Sequence, residues 1–368
     1  MKIAFLGPSP PFRGGISQFA LMLALEYERR GDEVRMFTYI RQYPAFLFPG
    51  GKQTAGFDKY ASIHSEQAFT PYQPWTWGKA VRRIRDFAPE LVIVSYFLPW
   101  FAPSQAWICA RLKGIRVVCL VHNVNFHEYW VGANLLTRMA LKRADRIVTL
   151  SRSSLDDLKR ITGGITYSKA INGFHPLYDC YQTLESEKGR QGSDGRTALF
   201  FGLIKPYKGL DVLLKALTQA RIAVPQLKLL VAGEVYGSKD RYLKLIRQLG
   251  LTEAVEAEFR YVGEDEVASY FQRADVCVLP YKSATQSGVI ATAYSFGLPV
   301  IASDVGGLGE YVKDGETGLL VPPGDPEALA AALIRYFREG LKEKFGAAIP
   351  AYRESLSWAR LADLIRAE

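Results

Sequence analysis

The chain has 368 residues, 48% hydrophobic and 23% charged, with a formal net charge of +9. That length accommodates two domains of ordinary size, and that composition excludes disordered and fibrous classes. No run approaches the ~20 apolar residues of a membrane span, and Cys109, Cys119, Cys180 and Cys277 lack disulfide or metal spacing, so they read as buried thiols of a reducing compartment.

Apolar strand candidates alternate with amphipathic helix candidates from the first residues. Met1 to Gly7 is too short for a secretory signal and reads as a first strand over Ile3–Leu6. Gly7-Pro-Ser-Pro-Pro-Phe-Arg-Gly-Gly-Ile16 follows it and opens a helix from Ile16 to Arg30, in which Phe19, Leu21, Met22 and Leu25 recur at helical spacing. Gly14 and Gly15 remove side chains where backbone must approach a ligand, although a bare Gly-Gly turn also serves structure alone. The pattern is not G-x-G-x-x-G, and no suitably placed acid follows the second strand, which disfavours dinucleotide binding.

Further strands are predicted over Val34–Tyr39, Leu91–Tyr96, Arg116–Val121, Arg146–Leu150 and Tyr167–Ile171. Near-continuous apolar strands alternating with helices indicate a parallel, doubly wound sheet. Arg41 to Ala68 lacks periodicity and is either a lid or acceptor loop or a packed excursion. His122-Asn-Val-Asn-Phe-His-Glu128 stands at the carboxyl end of Arg116–Val121, the edge where open α/β sheets bind ligands. A lone strand-end His is usually a packing residue; two of the chain's four His within seven residues, with Asn and Glu, are less easily read that way.

Charge is uneven. Residues 1–180 hold 23 Lys and Arg against 13 Asp and Glu, and the remainder holds 23 against 24. A basic first half attracts lipid, phosphate or other anions, or is a solvated surface without a partner. The cationic stretches Lys79–Arg85 and Leu141–Arg143 accompany aromatics at Tyr96–Phe101, Phe126, Tyr129-Trp130 and Phe46–Phe48. Together these seat a lipid-linked acceptor at a membrane surface, or they are core aromatics beside a solvated helix face.

Leu184 to Arg196 is polar and Gly-rich and reads as an exposed linker. The alternation then restarts, with strands over Ala198–Phe201, Lys228–Ala232, Ala257–Val262, Val276–Leu279, Val300–Ala302 and Gly318–Val321, and a last helical segment over Ala351–Ala367. Phe200-Phe-Gly-Leu-Ile-Lys-Pro-Tyr-Lys-Gly-Leu-Asp211 joins a strand to the helix Leu210–Ala220 and places Lys208-Gly209 where a phosphate would sit. Val231-Ala-Gly-Glu-Val-Tyr236 ends another strand; Glu234 either bonds a sugar hydroxyl or caps the next helix. Ser283 to Val300 is a loop of small hydroxyl residues and Gly opening a helix near Ser287, so free N–H groups and the helix dipole make an anion site suited to a diphosphate.

These motifs resemble those of the retaining glycosyltransferases of family 4 (glycosyl transferases group 1), and the resemblance covers nearly the whole chain. That family carries Glu-x7-Glu followed by Ala-x-Ala-x-Gly-x-Pro-Val. Anchored on Gly297 and Pro299-Val300, its two Glu positions fall on Ala284 and Thr292, neither acidic. Its Gly-Arg-x-x-Pro-x-Lys-Gly pattern ends on Lys208-Gly209; its Arg position is Leu203, and Lys205 stands two residues on as a second cation. Gly306-Gly307 and Glu310 also recur there.

The resemblance implies an α/β GT-B fold of two Rossmann-like doubly wound domains facing a cleft. The acceptor-binding domain would span 1–183, the linker 184–196 and the nucleotide-sugar domain 197–350, with a C-terminal helix at 351–368 crossing back to the first domain. It implies catalytic roles for His122, beside the donor sugar, and Lys208, on the leaving diphosphate. The donor-binding set is Gly15, Lys205, Gly209, Glu234 and Val262, with Thr285, Gln286, Ser287, Gly288 and Thr292. Gly14, Asn123, His127 and Glu128 fall on the acceptor side. No metal site and no cofactor are expected, since the nucleotide-sugar is a substrate.

The expected function is a retaining, metal-independent hexosyltransferase that builds cell-surface polysaccharide or glycolipid on a glycan or lipid-linked acceptor. Its expected place is the cytoplasm or the inner face of the cell membrane, with peripheral membrane association through the basic first domain. A catalytically degenerate GT-B protein acting as a partner subunit is the alternative, supported by the absent Glu pair. No recognition motif supports a nucleic-acid partner.

Overall fold

The computed structural model describes residues 1–12, 14–44, 63–123, 132–163, 167–178 and 194–367. The chain divides into two units, Met1–Phe174 with Trp358–Glu368, and His175–Ser357.

In the first unit, β1 (Lys2–Leu6), β2 (Glu33–Tyr39), β3 (His64–Phe69), β4 (Leu91–Tyr96), β5 (Arg116–Val121), β6 (Arg146–Thr149) and β7 (Ala170–Asn172) form one parallel sheet. Their order is β3-β2-β1-β4-β5-β6-β7, so the winding reverses between β1 and β4. β4 is buried along its whole length, which is why its sequence is an unbroken apolar run rather than an alternation. Helices α1 (Gly15–Arg29), α2 (Pro74–Phe87), α3 (Ala102–Cys109), α4 (Ala133–Leu141) and α5 (Arg152–Thr162) cover the sheet.

β3 falls inside the stretch that shows no periodicity. It is an edge strand in which only Ala68 and Phe69 are buried, and its register against β2 slips between Thr38 and Tyr39. An edge strand with one short apolar end leaves no pattern to read. The predicted strand over Tyr167–Ile171 is a short 3-10 turn, Tyr167–Lys169, followed by β7.

In the second unit, β8 (Thr197–Phe201), β9 (Lys228–Ala232), β10 (Val255–Glu258), β11 (Val276–Leu279), β12 (Val300–Ser303) and β13 (Gly318–Val321) form a second parallel sheet in the order β10-β9-β8-β11-β12-β13. Its winding reverses between β8 and β11. The helices are α6 (Leu210–Ala223), α7 (Asp240–Gln248), α8 (Glu264–Gln272), α9 (Gly288–Ser295), α10 (Leu308–Tyr311), α11 (Pro326–Arg338) and α12 (Leu341–Ser355). β10 pairs four residues earlier in its run than Val262 suggests, because this edge strand stops where β9 stops, at Glu258 opposite Ala232.

Each unit has its own core: Phe37, Val92, Val94, Tyr96, Phe101 and Val121 in the first, and Phe200, Leu213, Leu217, Val231, Val278 and Leu333 in the second. Both are the doubly wound α/β architecture that the alternation predicts.

The helix expected over Ala351–Ala367 is two helices. α12 ends at Ser355 and α13 spans Trp358–Arg366. Leu356 leaves the helical region, and its carbonyl accepts the Leu177 N–H at 3.2 Å instead of continuing the ladder. α13 belongs to the first unit, where the Tyr27 hydroxyl donates to Ala362 O at 3.1 Å and Arg30 pairs with Asp363.

Candidate functional site

In the second unit, the loops after β8, β9, β11 and β12 close on one another at the carboxyl edge of the sheet, across the point where the winding reverses. After β8 the chain turns at Gly202, and Ile204 N–H donates to Glu234 O at 2.8 Å while Tyr236 N–H donates to Ile204 O at 2.9 Å, which binds this loop to the one after β9. A Cβ on Gly233 would overlap the carbonyl of Gly202. Gly209, at φ +71°, is pressed on the Pro280 carbonyl in the same way, and Gly306, at φ +54°, on that of Ala284. The Lys282 N–H donates to Tyr207 O at 2.7 Å, and Gly307 N–H to Thr285 O at 3.1 Å. Glycine is therefore required where three backbones meet.

This packing holds two lysines at the loop that follows β8. Lys208 is part-buried, its Nζ 5.1 Å from the Tyr281 ring centroid and 3.8 Å from where a Cβ on Gly202 would lie. No carboxylate pairs with it among the described residues. Burial pulls its pKa below the ordinary lysine value, opposed by Tyr207 and the Cys277 thiol. An ammonium so placed lacks a counter-charge that an incoming anion supplies. Lys205 Nζ lies 4.6 Å from the Tyr236 ring centroid.

α9 starts at Gly288, with Ser287 as its cap: the Ser287 Oγ accepts the Val289 N–H at 3.3 Å. Thr285 is buried, and Gln286 and Ser287 are part-buried beside it. Thr292 is buried, and its hydroxyl donates back to Gly288 O at 3.0 Å within the helix. Its proton is thereby turned into α9. Glu234 is part-buried on the loop after β9, whereas Val262 is buried beyond the edge strand β10, two strands away from β8. Lys205, Lys208, Gly209, Glu234 and the 285–288 turn thus share one edge, and Val262 follows the outermost strand of the same sheet.

Sequence reasoning missed His175. It is buried, with Nδ1 2.8 Å from the Pro176 carbonyl, so Nδ1 is the donor and Nε2 keeps its lone pair. Its backbone N–H donates to the Tyr311 hydroxyl at 2.6 Å. A Cβ on Gly288 would stand 3.3 Å from Tyr178 Cε2 and 3.5 Å from His175 Nε2, so these two rings flank the first residue of α9. Burial lowers the His175 pKa to about 4, against the Pro176 hydrogen bond, and the imidazole is neutral near pH 7. A single histidine after Gly173 carries no spacing signal; the one available hint was its rarity.

In the first unit, Gly14 at φ +119° precedes α1, and Gly15 is its first residue; a Cβ on either meets nothing within 4 Å. His122 follows β5, its N–H donating to Tyr96 O at 2.8 Å. Its buried ring stands edge-to-face on Phe19 at 4.9 Å, and Phe19 meets Trp358 of α13 at 4.9 Å. Asn123 is part-buried next to it. His127 and Glu128, like the Phe46–Phe48 loop, Phe126, Tyr129-Trp130 and Leu184 to Ser193 of the linker, lie outside the described residues. Among the described residues no group of His, Cys, Asp and Glu is arranged to hold a metal ion.

The second unit matches the family model "Glycosyl transferases group 1" over residues 195–339, and the first matches "Glycosyltransferase Family 4" over residues 13–166. A D-inositol 3-phosphate glycosyltransferase of Rhodococcus jostii is 34% identical over 95% of this chain and 83% of its own length. One of Streptomyces griseus is 35% identical over 70% of this chain, and the match spans 62% of that relative's length. Among solved structures, HepE of Anabaena in complex with UDP and glucose superposes with a TM-score of 0.77 at 18% identity, covering 99% of this chain and 98% of that one.

Proposed function

The chain belongs to the family 4 glycosyltransferases (glycosyl transferases group 1), and on that premise we propose that it moves a sugar from a nucleotide-sugar donor to a glycan or lipid-linked acceptor. The observation that carries the reading is the Lys208 ammonium, sunk beside Tyr281 at the sheet's switch point without a carboxylate partner among the described residues. Such a cation neutralises charge that grows on a departing diphosphate. Lys205 and the N–H groups at the start of α9 take the remaining phosphate oxygens. These groups supply the positive charge, so the reading requires no metal.

In this reading the bond from the anomeric carbon to the diphosphate oxygen breaks while the acceptor oxygen bonds that carbon on the same face, which retains configuration. The acceptor proton passes to the departing phosphate oxygen. His122 is assigned to the transferred sugar, and Gly14, Gly15 and Asn123 to the acceptor side. The relatives named above act on D-inositol 3-phosphate and the Anabaena protein binds UDP, which makes an inositol phosphate and UDP-sugars the first probes. Synthesis of surface polysaccharide or glycolipid at the inner face of the membrane fits the basic first unit, and no described helix is long and apolar enough to cross a membrane.

Thermal-shift binding against UDP-, GDP-, ADP- and dTDP-sugars tests the donor, and the anomeric configuration of the product tests retention. A shift with one nucleotide and a product of the donor's configuration support the reading; an inverted product contradicts it. The second reading, a degenerate binding subunit, draws on Ala284 and on the Thr292 hydroxyl turned into α9. Nucleotide binding without turnover on any acceptor would select it.

A further inference from the structure

Tyr281 stands two residues past β11, between the loop that carries Lys208 and the turn that opens α9. Its ring carries the Lys208 ammonium at 5.1 Å on one side, and the Tyr207 ring meets it edge-on at 6.5 Å. A Cβ on Gly202 would stand 3.5 Å from Val289 Cγ2 and 3.8 Å from Lys208 Nζ, so the ammonium and the first turn of α9 border the same point. Tyr281 is thus packed against both of the groups that present positive charge there.

Its hydroxyl is harder to account for. The side chain is 3% exposed, and the hydroxyl closes no hydrogen bond among the described residues. Tyr294, Tyr311 and Tyr336, buried in the same unit, each close one: with the Thr317 hydroxyl at 2.7 Å, the His175 N–H at 2.6 Å and Asp275 O at 2.6 Å. A buried hydroxyl left unsatisfied destabilises the fold, and a phenyl ring would fill the same space without that cost. The polar group that faces the Tyr281 hydroxyl is the Ser287 side chain. Burial raises the phenol's pKa, opposed by Ser287, so the proton is present near pH 7. Ser287 Oγ accepts the Val289 N–H at 3.3 Å, a long bond that leaves the oxygen room for a second donor.

We propose that Tyr281 is a positioning residue of the diphosphate site, acting through Ser287. When the anion arrives, Ser287 turns its own proton outward to a phosphate oxygen, and its Oγ accepts the Tyr281 hydroxyl from behind. The two O–H groups then run in one direction toward the negative charge, and each strengthens the other. The buried hydroxyl that is unsatisfied in the empty site is satisfied only in the loaded one, so its pairing adds to affinity rather than to the stability of the free fold. This inference rests on the reading that a nucleotide diphosphate binds between Lys208 and α9.

The test is a double-mutant cycle on UDP affinity by calorimetry, with the parent, Tyr281→Phe, Ser287→Ala and the two combined, beside the melting temperature of each protein without ligand. Tyr281→Phe keeps the ring under Lys208 and removes only the hydroxyl. UDP affinity should fall about 5- to 10-fold, as expected for one hydrogen bond, while the ligand-free melting temperature stays level or rises. In the Ser287→Ala background the same change should alter affinity less than about twofold, because its acceptor has gone. A lower ligand-free melting temperature with unchanged UDP affinity would make the hydroxyl a structural group and overturn the proposal. Equal losses of affinity in both backgrounds would overturn the route through Ser287. Failure of the parent to bind any of UDP, GDP, ADP and dTDP would bring down the site reading and this inference together, whereas binding by the parent with no effect of Tyr281→Phe would bring down the inference alone.

Discussion

Gly209 lies against the carbonyl of Pro280 with no room for a side chain between them, so the loop that carries Lys208 and the loop that opens α9 are fixed to one another through backbone. At φ +71° and with Pro280 in the way, Gly209→Ala meets both a left-handed backbone and a clash, and about 2–4 kcal/mol of stability should be lost. Gly250, at φ +67° with nothing within 4 Å of a Cβ, isolates the backbone part, and Gly250→Ala should cost about 1 kcal/mol. Urea unfolding of the two variants measures the difference; equal losses would mean that the Gly209 contact is slack.

Phe19 supports the His122 ring from one side and touches Trp358 on the other. Phe19→Leu keeps an apolar filling but removes the edge-to-face partner, worth about 0.5–1.5 kcal/mol. Turnover should fall several-fold while UDP affinity stays within twofold. A role confined to packing would lower the melting temperature and leave turnover of the folded enzyme unchanged.

Thr292 makes a prediction in the opposite direction. Its hydroxyl is engaged with Gly288 O at 3.0 Å, so Thr292→Val should leave UDP affinity within about twofold, since only one intrahelical hydrogen bond worth about 1 kcal/mol is removed. A tenfold loss in a calorimetric titration would show that the hydroxyl reaches the nucleotide after all.

His175 gives the fold a pH dependence. Its folded pKa, about 4, lies below the unfolded value of ~6.5, so between these values the unfolded chain binds more protons. Stability from this group is complete above about pH 6.5 and is lost as the pH falls through that window, by about 3 kcal/mol in total. The Tyr311 hydroxyl, which accepts the His175 backbone N–H, has its pKa raised by burial and does not ionise there. His175→Gln should flatten the stability curve between pH 6.5 and 4 relative to the parent; an unchanged slope would contradict the neutral, buried assignment.

Much of this arrangement was legible in the sequence, and the reasons are specific. β4 and β11 read as apolar runs because both faces are buried, and Lys208-Gly209 and Ser287-Gly288 stand out because a loop at a strand end leaves chemistry-bearing residues in sequence. β3 did not show, since an exposed edge strand carries little hydrophobic signal. The break at Leu356 was hidden because apolar spacing continues across it and only the Leu177 contact reveals it. Likewise the direction of the Thr292 hydroxyl and the position of His175 beside Gly288 depend on contacts between segments far apart in the chain, which no local pattern encodes.

The most direct test of the account is a calorimetric titration of UDP into the parent and into Lys208→Met, which keeps the side chain's bulk and removes its charge. If the Lys208 ammonium is the diphosphate's counter-charge, affinity should fall about 10- to 100-fold, as expected for a charge-assisted contact of about 1.5–3 kcal/mol. Equal affinity in the two proteins would contradict the placement of the diphosphate at Lys208, and with it the central claim.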